Sequence, residues 1–285
     1  MLQLTSLEGP NHYNKSDNDT SPCLVIASTI TAKAREQLIR TGSSYIALHQ
    51  GSAYLDGTFY QQKHAVSSSG KTPRPLPWNL YALARFIIFS PTIPHQQEIA
   101  DILNTTQPTI SRTFSLLRHN LKQFDSSTSL TQKSNLLSWL EHVYPTKHDF
   151  TTYWSSSAPL AQQIKTVQKV LSATGTPSAV AGVAASDMYS PWKHPQTGLI
   201  LTSKITDFEE EGFFESSPEK ATMQISIPAD PTRFTTAQWW SDESGLPGIY
   251  TDPVDTYLTL LRSKEADIRE AAQILKTKIL EGVMK

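Results

Sequence analysis

Apolar residues recur at helical spacing in some stretches of this chain and in short continuous or alternating runs in others. From Trp78 to Phe89, Leu80, Leu83, Ala84 and Ile87 share one helix face. A second stripe, Ile99, Ala100 and Leu103, follows Pro94, which suits a helix's first turn because its missing N–H leaves no bond unmade. Asn104 and Thr105 end that helix. Thr106 is placed to cap the next helix through its hydroxyl, with Pro108 in the first turn and Ile110, Phe114 and Leu117 on the buried side. Residues 92–118 therefore read as a helix-turn-helix behind a preceding helix. Residues 119–132 (HNLKQFDSSTSLTQ) offer two short extended pieces around a polar tip at 125–128, the pattern of a β-hairpin wing, and a helix over 132–143 stops at Pro145.

Upstream, residues 23–27 (CLVIA) read as a buried strand and 32–41 as a helix ended by Gly42. Residues 45–48 and 54–60 read as strands around a turn at Gly51. Downstream, Pro159 opens and Gly175 ends an amphipathic helix with Leu160, Ile164, Val167 and Leu171 inward. Strands follow at 178–181, 198–202, near Phe213 and at 223–227, with a short helix at 183–189. Asp252 caps and Pro253 starts the first of two C-terminal helices, the last spanning 266–283.

The expected fold is α+β in several parts. Residues 1–21, rich in Asn, Asp, Ser and Thr, read as a disordered leader, 22–66 as a small α/β unit, and 67–77 (SSSGKTPRPLP) as a linker whose Lys71 and Arg74 could follow a phosphate backbone. Residues 78–150 form a winged helix-turn-helix, and 158–285 a C-terminal α/β domain ending in two helices.

Side chains left outside the helix-turn-helix stripes carry the chemistry. Thr106, Gln107, Thr109, Ser111, Arg112, Ser115, Arg118 and, just beyond, Lys122 are the candidate DNA-binding residues. Gln107, Thr109 and Arg112 would read bases, Gln suiting adenine and Arg guanine, while Thr106, Ser111, Arg118 and Lys122 would hold phosphates. Charge changes the picture in the same direction. The whole chain has a formal charge of -1, yet residues 57–123 hold seven Lys and Arg against two acids, while residues 124–285 hold 14 against 19. One basic segment coincident with the helix-turn-helix is what a confined DNA contact requires.

Other function classes find little support. The single cysteine, Cys23, excludes an intramolecular disulfide and a cysteine zinc cluster within one chain, and points to a reducing compartment. No apolar run approaches the length of a membrane span, about 18 residues, and the polar first residues lack a signal-peptide core, so a cytoplasmic protein without a membrane partner is expected. A nucleotidyltransferase needs a Gly-Ser pair followed by paired carboxylates for magnesium. Gly42-Ser43 and Gly51-Ser52 precede Asp56, but the next carboxylate is Glu98. Asp56, Gln61 and Lys63 lie too close together for a nuclease core. Asp207, Glu209, Glu210, Glu211 and Glu215 lack an accompanying His or Cys, Pro145 splits His142 from His148, and Ser186 with Asp187 has no partnered His. Trp239 and Trp240 read as core or interface anchors before base-stacking groups. No catalytic residue, metal or cofactor is expected.

Several motifs together resemble a known family. IALHQGSAYLDG, then PW opening a helix, then QPTISR in the second helix of the pair, resemble the winged-helix regulators of the AbiEi family, the antitoxin side of type IV toxin-antitoxin systems. Residues 179–201 (AVAGVAASDMYSPWKHPQTGLIL) and 250–275 (YTDPVDTYLTLLRSKEADIREAAQIL) are similar to paired signatures of its actinobacterial branch. The resemblance spans roughly residues 24–280 and rests on the order of the motifs. It implies a transcriptional regulator that represses its own operon by binding double-stranded promoter repeats, a dimer on DNA remaining open. It also implies opposition, functional or direct, to a nucleotidyltransferase toxin. Two alternatives remain: an interaction protein with a vestigial helix-turn-helix, and a nucleotidyltransferase-like enzyme.

Overall fold

The computed structural model describes residues 3–4, 24–27, 30–47, 51–61, 76–90, 92–121, 124, 129–145, 149–192 and 194–283. The fold is α+β, in two compact units, Met1–Arg74 and Pro75–Lys285. Apart from Gln3 and Leu4, the leader expected over 1–21 lies outside the described residues, as does the linker up to residue 75.

In the first unit, β1 (Gln3–Leu4), β2 (Leu24–Ala27) and β3 (Ser44–Ala47) are parallel, and β4 (Ser52–Leu55) and β5 (Thr58–Gln61) continue the sheet antiparallel. Helix α1 (Ala32–Arg40) joins β2 to β3, as a parallel pair demands. Its N-terminus is capped by Thr31, whose hydroxyl accepts the Ala34 N–H at 3.3 Å. Val25, Ala27, Tyr45 and Ala47, alternate positions on adjacent strands, bury together against Leu38 of α1. The strand expected over 54–60 is instead two strands. Asp56 and Gly57, at φ 47° and 80°, form the hairpin turn between them. Consecutive positive φ angles match the twist of paired strands, and Asp-Gly is the sequence signal for that turn.

In the second unit, α2 (Trp78–Phe89), α3 (Gln96–Ile102), α4 (Gln107–Asn120) and α5 (Leu130–Val143) come first. A mixed sheet follows in the order β7-β8-β10-β6-β9, built from β6 (Phe150–Ser155), β7 (Ser178–Ala181), β8 (Gly198–Thr202), β9 (Phe214–Glu215) and β10 (Met223–Ile227). Only β8 and β10 pair in parallel. Helix α6 (Leu160–Ala173) sets Val167 and Leu171 into a cluster with Ile200, Met223, Ile225 and Trp154 of the sheet. Gly198 lies close under that cluster, and a Cβ there would come within 2.7 Å of the Met223 sulfur, so the Met223 side chain would have to shift. The remaining helices are α7 (Gly182–Tyr189), α8 (Thr232–Glu243), α9 (Pro253–Leu261) and α10 (Ala266–Glu281).

Helix α2 is apolar nearly all round, and Leu80 through Ile88 are all buried. Such a helix needs covering on every side. It packs against α4 and α5 and also against α8, α9 and α10. One core therefore runs from Leu80, Ile99, Phe114 and Leu137 into Val254, Tyr257, Leu275 and Ile279. Helix α8 and strand β6 did not emerge from the sequence pattern. Arg233, Thr236 and Ser241 of α8 face inward, which erases its apolar stripe. The Thr-rich β6 gains its place by pairing with β10, about 70 residues downstream.

Candidate nucleic-acid interface

The inward residues of α3 and α4 are those the spacing predicts, but α3 begins at Gln96 with His95 at its N-cap, so Pro94 precedes the helix instead of lying in its first turn. Ile99, Ala100, Leu103, Ile110, Phe114 and Leu117 are all buried, and Thr113 joins them by donating its hydroxyl to the Thr109 carbonyl at 2.8 Å. Helix α3 ends where Asn104 adopts φ 48° and the Thr105 N–H reaches back to the Ala100 carbonyl at 2.8 Å. Asn tolerates the left-handed region better than most residues, so the chain turns sharply without glycine. Thr106 stands at the N-cap position, but its hydroxyl does not cap the helix. It bonds the Thr109 hydroxyl at 2.9 Å instead, a correction to the expected side-chain cap.

Thr106, Gln107, Ser111, Arg112, Ser115 and Arg118 are exposed, and they run from the N-cap of α4 to its last turn on the side of the helix left in solvent. Thr109 lies on its flank, half-buried. Gln107 donates its side-chain amide to Gln96 Oε1 at 3.4 Å, and Ser115 donates to the Ser111 carbonyl at 3.1 Å. The Arg118 guanidinium lies 5.8 Å from the centre of the Phe114 ring, so its stem follows the helix. Lys122 lies outside the described residues. So does most of the expected wing. Of residues 119–132, His119 and Asn120 end α4 and Leu130 to Gln132 begin α5, so both ends of that stretch are helical where extended pieces were expected. No strand occurs among its described residues, and Phe124 is buried.

The basic segment needs revision at one residue. Arg85 is 0% exposed. From the middle of α2 its Nη1 donates to Asp230 Oδ2 at 3.2 Å and to the Tyr144 hydroxyl at 3.1 Å, and its Nη2 donates to Thr232 Oγ1 at 3.1 Å. Its Nε sits 3.4 Å from Asp252 Oδ2, an ion pair without hydrogen-bond alignment. Beside it, Arg233 Nε donates to Asp255 Oδ2 at 2.9 Å and Nη1 to Asp149 Oδ2 at 3.0 Å. Burial works against the Arg85 charge, but Tyr144, Asp230, Asp252 and Asp255 outweigh it and hold the guanidinium protonated. Burial pushes the Asp252 carboxyl above the usual range, with Arg85 opposing. Arg85 thus adds nothing to the surface field. Of the other basic residues in the segment, Arg112 and Arg118 are exposed, and Lys63, Lys71, Arg74 and Lys122 lie outside the described residues.

Other candidate groups are dispersed. Asp56 occupies a hairpin turn, and Glu209–Glu211 form one exposed 3₁₀ turn. Among the described residues no three His, Cys, Asp or Glu side chains gather as a metal site would require. Ser186 is buried on α7. Trp239 stacks on Phe89 with ring centres 5.3 Å apart, and Trp240 is buried beside it. No helix among the described residues is long and apolar enough to cross a membrane.

Comparison with protein-family models, with curated proteins and with solved structures finds no match to this chain.

Proposed function

We propose that this chain is a sequence-specific DNA-binding regulator in which α4 enters the major groove of double-stranded DNA. The observation that carries the proposal is the exposed polar strip of Gln107, Ser111, Arg112, Ser115 and Arg118 on a helix whose opposite face is buried against α2 and α3. A groove about 12 Å wide admits one helix, and these side chains can donate to or accept from base edges and phosphates. Gln107 and Arg112 read bases. The paired hydroxyls of Thr106 and Thr109 retain one proton to give to a phosphate oxygen, which moves Thr109 from the base-reading set to the backbone-positioning one. No catalytic residue, metal or cofactor takes part. The AbiEi resemblance adds the setting: a cytoplasmic antitoxin that represses its own promoter and opposes a nucleotidyltransferase toxin.

Titration of the purified protein against DNA from upstream of its own gene, and against the same DNA scrambled, across a salt series, tests the proposal. Tight binding to the first alone, weakening as salt rises, is the expected result. Equal, weak binding to both would reject it. A second reading, a protein-interaction role with an unused helix-turn-helix, draws on the exposure of Trp192 (51%), Ile205 (52%) and Phe214 (58%) in the second unit. Retention of a protein partner without retention of DNA would favour it.

A further inference from the structure

The first residues of α3 and α4, Gln96 and Gln107, lie eleven positions apart in the chain and are joined by their side-chain amides at 3.4 Å. Gln96 is half-buried and Gln107 exposed. The bond uses one of the two Gln107 Nε2 protons. In the planar amide the proton syn to Oε1 faces the same way as that oxygen, and this edge stays open when Gln96 takes the anti proton. That is the donor and acceptor pair that adenine matches in the major groove, its N7 accepting and its N6 amino group donating. A free glutamine has several rotatable bonds to fix before it can make this paired contact, and the bond to Gln96 biases them toward one arrangement.

Building on the DNA-binding proposal, we infer that Gln107 is the residue that specifies one adenine of the bound site and that Gln96 is its positioning residue. Gln96 Oε1 holds the Gln107 amide plane, and the Gln96 Nε2 keeps both its protons for a neighbouring phosphate. Arg112, five positions further along α4, takes no part in reading that base. A merely structural role for the pair is poorly served by its position, because an exposed side-chain bond of this length adds little to stability.

Selection from a pool of random double-stranded DNA by the full-length protein, followed by affinity measurements on the enriched site, tests the inference. The wild type is expected to enrich a motif with one adenine column. Gln107→Ala should flatten that column alone, and Gln96→Met, which keeps the size but offers only a weakly accepting thioether in place of the amide oxygen, should flatten the same one. Gln96→Glu, which keeps an acceptor for Gln107, should retain the adenine preference while weakening all sites through repulsion of phosphate. Replacing that adenine with 7-deazaadenine should cost the wild type from about 5-fold to about 150-fold and cost Gln107→Ala nothing further. All variants should melt with the wild type. An enriched motif whose columns are unchanged in Gln107→Ala and Gln96→Met overturns the inference and leaves the DNA-binding proposal standing. Failure of the wild type to enrich any motif overturns both.

Discussion

Arg85, in the centre of α2, donates through Nη1 to Asp230 Oδ2 at 3.2 Å, and both side chains are buried. The bond spans 145 positions of sequence and ties the helix that supports α4 to the segment leading into α8. Around it, Tyr144, Asp252 and Asp255 close a charged cluster inside an otherwise apolar core. Breaking such a cluster from one side leaves charges buried without partners. Arg85→Met is therefore expected to lower unfolding stability by about 3–5 kcal/mol, read from urea midpoints at constant slope. Asp149→Asn removes a partner of Arg233 that is 40% exposed and should cost less than about 1 kcal/mol. Equal losses for the two would show that burial does not set the cost.

The shared core predicts that the helix-turn-helix does not stand alone. A fragment of residues 76–145 would expose the sides of α2 that pack on α8, α9 and α10, and would strand the Arg85 charge without Asp230, Asp252 and Asp255. It should show no cooperative thermal transition by circular dichroism and poorly dispersed amide resonances. A sharp, reversible melt of that fragment would contradict the single core.

Arg112 and Arg118 should separate by the kind of contact they make. Arg112→Ala is expected to cost about 1–3 kcal/mol in affinity for the selected site and little for unrelated DNA. Arg118→Ala should weaken both DNAs alike and reduce the salt slope by about one unit. Arg112→Ala should not move the melting temperature, since its side chain is exposed. Fluorescence anisotropy at several salt concentrations reads all three quantities.

Asp252 makes a prediction about pH. Burial raises its folded-state pKa above the ordinary value of 3.8, despite Arg85. The folded state therefore binds this proton more tightly than the unfolded one does. The stabilisation is fully present below pH 3.8 and is lost as pH rises through the raised value. Asp252→Asn keeps an acceptor for the Asp255 N–H at the start of α9 and removes the titration. The stability of the variant relative to wild type should accordingly improve from acid pH toward neutrality. A difference independent of pH, in paired urea titrations, would show that Asp252 ionises as an ordinary carboxylate.

Much of this architecture is legible along the chain because the contacts that define it are local. The bounds of α2, the inward set of α3 and α4, and the start of α9 at Asp252 and Pro253 follow from helical spacing, Pro placement and capping, which act within a few residues. Asp56-Gly57 was equally local, but the apolar run around it reads as one strand until its pairing is seen.

What distance in sequence hides, only the tertiary structure decided. Strand β6 exists because β10 pairs with it, and α8 is a helix whose inward residues are polar because they meet other polar residues there. Arg85 shows the same limit in one side chain. Composition assigns it to a basic surface, whereas three distant carboxylates and a tyrosine hydroxyl make it an interior residue. A charge enters a core only when its partners arrive with it, and those partners are gathered by folding. The exposed strip of α4 belongs to the first kind: the sequence by itself determined which side chains it holds, since one face of an amphipathic helix leaves the other to solvent. The Gln96 to Gln107 bond across its edge belongs to the second, because only the turn at Asn104 brings the two helix starts together.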